Sequence, residues 1–240
     1  MKKVIICGYD LIGCEVLKIL YEKNFELFVY THESPHFIPD LVSYCKELNI
    51  PYSIDKISIK NLPFKPDIIC SIYYRYIITK DIIDISKGKI FNLHPSLLPN
   101  YRGCSSITWA IIKGEKYTGL TYHFINKEID KGTIIYQKKI EINPFDIQST
   151  LYNKVMLEAL KYFIYAFEFV LEGKKGQKQQ NEGNYYKRGV PLDGKISENW
   201  STDKTKRFIK ALIHPPYPLA TYKNEPVKDL ESYLKLKNER

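Results

Sequence analysis

The chain has 240 residues, of which 44% are hydrophobic and 26% are charged, and its formal net charge is +9. This length can bury a sizeable core, and the composition excludes extensive disorder. No apolar run reaches the length of a membrane-spanning helix, and the first residues lack a signal-peptide pattern, so we expect a soluble, cytoplasmic protein. The positive charge favours an anionic partner such as a nucleic acid, a membrane surface or a phosphorylated metabolite, although a solvated lysine-rich face has the same composition.

The first half of the chain alternates between strand and helix patterns. Apolar strand patterns cover residues 2–7, 26–30, 66–77 and 89–94. Helix patterns lie between them, after the first glycine turn with apolar Ile12, Val16, Ile19 and Leu20, and at residues 40–49 and 79–86. This order predicts an α/β fold with a doubly wound, mostly parallel sheet and helices on both faces.

The second half predicts a helix, two strands and a long amphipathic helix that Asp146 caps. These elements lie at residues 105–115, 119–125, 132–142 and 147–171. Residues 172–184 have little to bury and predict a linker or an exposed loop, and beyond it we expect a hairpin corner at 192–195 and a helix at 203–213. We therefore divide the chain into a main domain (1–172) and a linker with a small C-terminal extension (173–240).

Cysteines and the first glycine turn are interpreted as structural. The five cysteines are scattered and form no Cys-x-x-Cys pair, so we expect small core residues, with no disulfide framework and no metal site. Gly8 and Gly13 follow the first strand, but the third glycine of a dinucleotide fingerprint is missing, which disfavours nicotinamide binding.

Asn92 and His94 stand out because they end an apolar strand pattern. Residues two apart on a strand project to the same face, and the carboxyl ends of parallel strands are where ligands bind in open α/β sheets. Pro95 and Pro99 restrict the loop that follows. An amide donor beside an acid/base group suits a tetrahedral oxyanion and a proton transfer, and Asp130, on a later loop, is the carboxylate that we expect to orient His94.

The other histidines are weaker candidates for a catalytic role. His123 alternates within a strand and His214 precedes two prolines, so we expect core or surface positions for both. His32 and His36 flank a loop and are weaker candidates for ligand contact.

Residues 91–137, which begin FNLHPSLLPNYRG, closely resemble the catalytic core of the folate-dependent formyltransferases. The shared pattern is Asn-x-His-x-Ser-Leu-Leu-Pro, an Arg-Gly and a later Asp-x-Gly whose Asp130 follows His94 by 36 residues. The upstream SIYYRYII (71–78) is similar to the subgroup that acts on nucleotide-linked amino sugars. The resemblance implies a Rossmann-like formyltransferase core over 1–172 with a small C-terminal hairpin and helix extension that helps to form a homodimer.

The resemblance also implies roles for individual residues. Asn92, His94 and Asp130 would be catalytic. The co-substrate, 10-formyltetrahydrofolate, would lie along Tyr76, Ile77, Ile78, Asn126, Lys127, Glu128 and Ile129. Substrate contacts would come from Tyr9, Tyr74, Arg75 and Arg102, with an arginine meeting a diphosphate. Cys104 departs from the aminoarabinose-type enzymes, which carry an arginine there, and Tyr74 and Trp109 are candidates to stack on a base, although Trp109 equally fits a helix core.

Several acceptors remain open within this family. The resemblance implies a nucleotide-linked amino sugar for surface polysaccharide such as O-antigen, first dTDP-4-amino-4,6-dideoxyglucose, then dTDP-3-amino-3,6-dideoxyglucose and then UDP-aminoarabinose. Methionyl-tRNA is disfavoured because the tail is too short for the RNA-gripping C-terminal barrel of those enzymes. Glycinamide ribonucleotide is disfavoured because its enzymes lack the YYRYII stretch and this tail.

Two further functions compete with transfer. A non-catalytic RNA-binding module on the same scaffold would explain the charge, but such a module has no reason to keep Asn92, His94 and Asp130 together, so we expect no nucleic-acid partner. Hydrolysis of the formyl folate would need only water in place of the amine. We also expect no membrane partner.

Overall fold

The computed structural model describes residues 1–215 and 217–238 and divides into two compact units. The first unit comprises residues 1–94, 121–137 and 156–181, and the second comprises 95–120, 138–155 and the described residues from Glu182 on. The two units therefore interleave along the chain, and the domain boundary expected after residue 172 stays a prediction. Of the predicted 173–240 extension, residues 216, 239 and 240 lie outside the described part of the chain.

Most of the predicted elements are present. The strands are β1 (Lys3–Gly8), β2 (Glu26–Tyr30), β3 (Tyr52–Ser53), β4 (Ile68–Ile72), β5 (Ile90–His94), β6 (Arg102–Gly103), β7 (Tyr117–Phe124), β8 (Ile134–Glu141), β9 (Tyr185–Tyr186), β10 (Ala220–Tyr222) and β11 (Glu225–Val227). The helices are α1 (Asp10–Glu22), α2 (Leu41–Glu47), α3 (Lys80–Ile85), α4 (Ser106–Lys113), α5 (Gln148–Leu171), α6 (Thr202–Ala211) and α7 (Leu230–Asn238). None of these helices is long and apolar enough to cross a membrane.

A seven-stranded sheet organises the first unit, in the order β3-β2-β1-β4-β5-β7-β8. β1 pairs in parallel with β2 and β4, β4 pairs in parallel with β5, and β7 runs antiparallel to β5. The α/β fold with a mostly parallel sheet is thus confirmed. The central strands are buried apolar runs, as expected for a sheet with both faces covered.

The fourth strand is shorter than the apolar run from 66 to 77 predicts. β4 ends at Ile72, and Tyr73 adopts a left-handed backbone conformation with φ of 62°. A left-handed residue cannot continue a strand, so the chain turns away from the sheet. Tyr74 and Ile78 still pack against the core of the unit from the loop, which explains why their composition resembles a strand.

The hairpin of the C-terminal region lies at a different place from the one predicted. Leu192 and Asp193 are both left-handed within a short helical turn, so residues 192–195 are not a hairpin corner. The hairpin is formed by β10 and β11, which are antiparallel and joined through Lys223 and Asn224. Both joining residues have positive φ values, 50° and 69°, as a two-residue hairpin turn of the primed type requires.

The segment predicted as a linker is largely exposed but has defined hydrogen bonds. In the first unit, the backbone of Gln177 pairs with that of Ile134. In the second unit, the side chain of Arg102 donates to the carbonyl of Glu182, and β6 pairs in parallel with β9. Residues 172–184 are therefore an ordered surface segment and not a free linker.

Candidate functional site

Three polar residues form a row across the middle of the sheet in the first unit. Ser71 on β4 is the register partner of Asn92 on β5, and Asn92 is in turn the register partner of His123 on β7. Register partners on neighbouring strands project to the same face. The pairing of β4 with β5 and of β5 with β7 therefore brings a hydroxyl, an amide and an imidazole side by side.

Hydrogen bonds run along this row and fix the orientation of the Asn92 amide. The Ser71 hydroxyl donates to Asn92 Oδ1 at 2.8 Å, and Asn92 Nδ2 lies 3.2 Å from His123 Nε2. His123 Nδ1 lies 2.8 Å from the carbonyl oxygen of Phe124, which can only accept, so Nδ1 carries the ring hydrogen. In the neutral ring Nε2 is then the acceptor, and Asn92 donates to it.

Asp130 lies between two histidines. Its Oδ2 is 3.5 Å from His94 Nδ1, and its Oδ1 is 3.5 Å from His123 Nε2. The side chains of His94 and His123 are 5% and 2% exposed, and that of Asp130 is 12% exposed. Screening by water is weak at such burial, so the carboxylate can orient the His94 ring through Nδ1 and stabilise a positive charge on it.

The loop that carries Asp130 has an unusual backbone. Asp130 is left-handed, with φ of 54°. A Cβ on Gly132 would overlap the carbonyl oxygen of Phe124, the oxygen that accepts from His123. The glycine of the Asp-x-Gly pattern is therefore required because the loop returns against the end of β7.

The structure brings Asn92, His94 and Asp130 together and adds His123 to them. His123 is buried, in agreement with one of the two positions expected for it, but its place beside Asn92 and Asp130 was not predicted. Ser71 was not a candidate at all. The signal for His123 was its position seven residues before Asp130 in a strand that pairs with β5, and that pairing cannot be read from spacing alone.

Of the seven residues expected along the folate, the first three, Tyr76, Ile77 and Ile78, are in different environments. Ile77 is 65% exposed, whereas the Ile78 side chain is buried in the core of the unit. The ring of Tyr76 is in edge contact with the rings of Tyr74 and His32, at centroid distances of 5.3 and 6.2 Å. Of the three side chains, Ile77 is therefore the most accessible to a ligand.

The loop from Asn126 to Ile129 lies on the surface and is ordered by its own contacts. Asn126 Oδ1 accepts from the backbone of Glu128 at 2.9 Å, and the Glu128 carboxylate pairs with Lys131. Lys127 is exposed, as is Ile129. These side chains are accessible to a ligand, and their predicted contact with folate stays a prediction.

Three of the four residues predicted to contact the substrate lie in the first unit. Tyr9 stacks on His32 with ring centroids 3.9 Å apart, and Arg75 is exposed with its guanidinium over the ring of Tyr76. The Tyr74 hydroxyl accepts from the backbone nitrogen of Ile57, and burial raises the pKa of this hydroxyl. Tyr74 is thus held by the protein itself, and its role in binding a base stays a prediction.

Arg102 and Cys104 lie in the second unit. Arg102 is buried and donates to the carbonyl of Glu182, so part of its guanidinium is used within the protein. Cys104 is partly exposed, and its backbone nitrogen donates to the carbonyl of Tyr186. The ring of Tyr186 stacks on Trp109 with centroids 4.6 Å apart.

The His94–Asp130 arrangement has the parts of an acid/base site and lacks those of a metal site. Within residues 1–215 and 217–238, no group of His, Cys, Asp and Glu has the arrangement to hold a metal ion. A buried imidazole that is oriented by a carboxylate can accept and return a proton, and a fixed amide N–H beside it can donate to an oxygen that gains negative charge.

Residues 54–167 match the formyl transferase family. The chain is 35% identical over 227 residues to the bifunctional polymyxin resistance protein ArnA of Wigglesworthia glossinidia brevipalpis, an alignment that covers 89% of this chain and 35% of that protein. It is 37% identical over 160 residues to the GDP-perosamine N-formyltransferase of Brucella melitensis, and this alignment covers 67% of this chain and 62% of that protein. The chain thus spans less than two thirds of the length of these relatives.

A solved structure has the same fold. It is that of WlaRD, a sugar 3-N-formyltransferase in the presence of dTDP and 5-N-formyl-tetrahydrofolate, with a TM-score of 0.83 at 23% identity. The alignment covers 95% of this chain and 85% of that one. The first unit's sheet and the C-terminal region therefore adopt the α/β fold of the formyltransferases.

Proposed function

The chain contains a formyl transferase domain over residues 54–167, and from this premise we propose that the protein transfers a formyl group from 10-formyltetrahydrofolate to the amine of a nucleotide-linked amino sugar. One observation carries the proposal: Asn92, His94 and Asp130 meet at the carboxyl end of β5, with the Asp130 carboxylate 3.5 Å from the His94 ring. The reaction needs a donor for a developing oxyanion and a group that moves one proton, and these residues supply both.

In the proposed reaction His94 moves the proton. The amine forms a bond to the formyl carbon, and the bond from that carbon to folate N10 breaks. The amine loses a proton and N10 gains one, so the products are a formamide and tetrahydrofolate. Since Nδ1 of His94 faces Asp130, Nε2 is the nitrogen that exchanges the proton, and Asp130 stabilises the imidazolium that forms.

Asn92 stabilises the oxyanion of the tetrahedral state. The amide has two hydrogens on Nδ2, and one of them is directed at His123. The second is available to the formyl oxygen as its negative charge develops. Ser71 and His123 hold the amide from both sides, so the donor is oriented before the reaction and needs little reorganisation.

The donor and acceptor classes are supported by the relatives. WlaRD was solved with a formylated tetrahydrofolate and dTDP, and the Brucella relative is named for a GDP-linked amino sugar. The net charge of +9 suits a diphosphate-bearing substrate. Within the class we propose dTDP-4-amino-4,6-dideoxyglucose first, with the 3-amino isomer and UDP-aminoarabinose as alternatives.

Mass spectrometry of defined reactions tests the proposal. The protein is incubated with 10-formyltetrahydrofolate and, separately, with the three sugar nucleotides above, GDP-perosamine, glycinamide ribonucleotide, methionyl-tRNA and no acceptor. A gain of one formyl group on a sugar nucleotide, absent with His94→Ala, is the expected result. Consumption of the formyl folate without acceptor would favour hydrolysis, and no turnover together with steeply salt-dependent RNA affinity would favour the binding module.

A further inference from the structure

Gln179 holds the backbone of the Asp130 loop with both hydrogens of its side-chain amide. Its Nε2 donates to the carbonyl oxygen of Asp130 at 2.7 Å and to that of Gly132 at 2.8 Å. The two acceptors are on either side of Lys131, so a single amide bridges the turn that carries the Asp130 carboxylate. Both residues belong to the first unit, although 49 positions separate them in the sequence.

The segment around Gln179 is seated closely on this loop. The backbone of Gln177 exchanges two hydrogen bonds with Ile134, at 2.7 and 2.8 Å. A Cβ on Gly176 would lie 2.7 Å from the carbonyl oxygen of Ile134 and 2.8 Å from Thr133 Oγ1, too close for any other residue without a shift. The backbone pairing fixes the position of the segment. The side chain of Gln179, which extends from this fixed backbone, then contacts the turn.

The turn gains from such a restraint because Asp130 itself is left-handed, a conformation that is uncommon outside glycine, although aspartate adopts it more readily than most residues. Asp130 must also keep its two oxygens 3.5 Å from two different histidine rings. A small rotation of the turn would move both oxygens at once, because both are on the same carboxylate. The carbonyls at the two ends of the turn are the points from which such a rotation can be prevented.

We infer that Gln179 is a positioning residue for the proposed formyl transfer, and that its side-chain amide fixes the turn from Asp130 to Gly132 and thereby the Asp130 carboxylate against His94 and His123. The inference rests on the proposed function for its effect on turnover, and on the geometry alone for its effect on the loop. Gln179 acts through Asp130 and contacts no reacting atom in this assignment.

The test compares three glutamines of the same segment. Gln179→Glu keeps the shape of the side chain but replaces two donors by an acceptor that faces two carbonyls, and Gln179→Met removes the donors without adding charge. Gln177→Glu and Gln180→Glu make the same charge change at exposed side chains and serve as controls. We expect kcat to fall about ten- to a hundredfold in both Gln179 variants, with KM within about twofold and the controls unchanged.

A double-mutant cycle separates positioning from general destabilisation. In an Asp130→Asn background the Gln179 substitutions should cause no further fall in kcat, because the group that Gln179 positions is already inactive. Equal losses in the wild-type and Asp130→Asn backgrounds would overturn the inference. So would kcat values within about twofold of the controls, or a loss that appears in KM.

Hydrogen exchange measured by mass spectrometry tests the inference without any turnover. Amides of residues 126–134 should exchange faster in both Gln179 variants than in the wild type, while peptides from β1 and α1 and all peptides of the two controls are unchanged. Unchanged exchange in residues 126–134 would overturn the inference. If the wild type transfers no formyl group, the proposed function fails and exchange alone decides whether Gln179 holds the turn.

Discussion

Asn92 and His123 are register partners on antiparallel strands, and the amide nitrogen of Asn92 lies 3.2 Å from His123 Nε2. On the other side of Asn92, the Ser71 hydroxyl donates to the amide oxygen. The amide therefore has one preferred orientation, with its oxygen towards β4 and its nitrogen towards β7. A flipped amide would place an acceptor against the acceptor nitrogen of His123 and would lose the donor that the proposed oxyanion needs.

Loss of the Ser71 hydroxyl should lower turnover by releasing this orientation. In Ser71→Ala, Asn92 Oδ1 loses its donor and only His123 still holds the amide, so its orientation is less well fixed and we expect kcat to fall by about tenfold. Ser71→Thr keeps the hydroxyl and is the matched control. Steady-state kinetics with the acceptor that the mass-spectrometric assay identifies measure the effect, and a Ser71→Ala enzyme as fast as Ser71→Thr would contradict it.

Replacement of the His123 ring nitrogens should be more damaging. His123→Phe keeps an aromatic ring in the buried position but removes the nitrogen that accepts from Asn92 and lies beside Asp130. We expect kcat to fall by about ten- to a hundredfold while the protein remains folded. His36→Phe, at an exposed histidine, controls for the change in residue type. Equal kinetics for the two variants would show that His123 does not support the site.

The catalytic trio itself should be far more sensitive. We expect His94→Ala and Asp130→Ala each to reduce turnover by at least about a hundredfold, since they remove the proton carrier and the carboxylate that stabilises it. Circular dichroism and thermal melting establish that each variant is folded before kinetics are compared. Turnover near the wild-type rate in either folded variant would exclude the proposed roles.

The proximity of Asn92 and His94 was predictable because they are two residues apart at a strand end, which fixes the face that they share. Asp130 is 36 residues beyond His94, and its place beside them was predicted only with the help of the spacing of the family pattern. His123 was not, because its place in the site depends on the pairing of β7 with β5, and a strand histidine looks the same whether its partner is Asn92 or a core residue. Gln179 was missed because its segment buries little and resembles a linker. The strand predicted over residues 66–77 extends beyond its observed end at Ile72. Tyr74 and Ile78 pack into the core from a loop, so the apolar residues after Ile72 give no sign of the turn at Tyr73.

The glycine of the Asp-x-Gly pattern gives a test of the loop geometry. Gly132→Ala adds a Cβ that overlaps the carbonyl oxygen of Phe124, and this oxygen accepts from His123 Nδ1. We expect both a lower melting temperature and a loss of turnover, because relief of the overlap moves the Asp130 turn away from β7. Gly173→Ala is the control: its φ of 76° strains an alanine, but a Cβ there meets nothing within 4 Å, so it reports the cost of an added methyl without an overlap. A Gly132→Ala enzyme with kinetics and melting temperature like those of Gly173→Ala would show that the loop tolerates the shift.

The buried thiols predict how stability depends on pH. Burial raises the pKa of Cys14 and Cys45 to about 12 and raises those of Cys7 and Cys70 further. In the unfolded chain these thiols ionise at about pH 8.5, so above that pH the folded state binds more protons than the unfolded state. Their stabilising contribution is complete below pH 8.5 and is lost progressively as the pH rises towards 12.

We therefore expect the melting temperature to fall by at least about 5 °C between pH 8 and pH 10. The Cys45→Ala variant starts from a lower melting temperature because it leaves a cavity, but its slope with pH should be shallower, since one of the four buried thiols no longer titrates. Cys104→Ser, at the partly exposed cysteine, should keep the wild-type slope. If all three proteins have the same slope, the thiols do not control stability in this range.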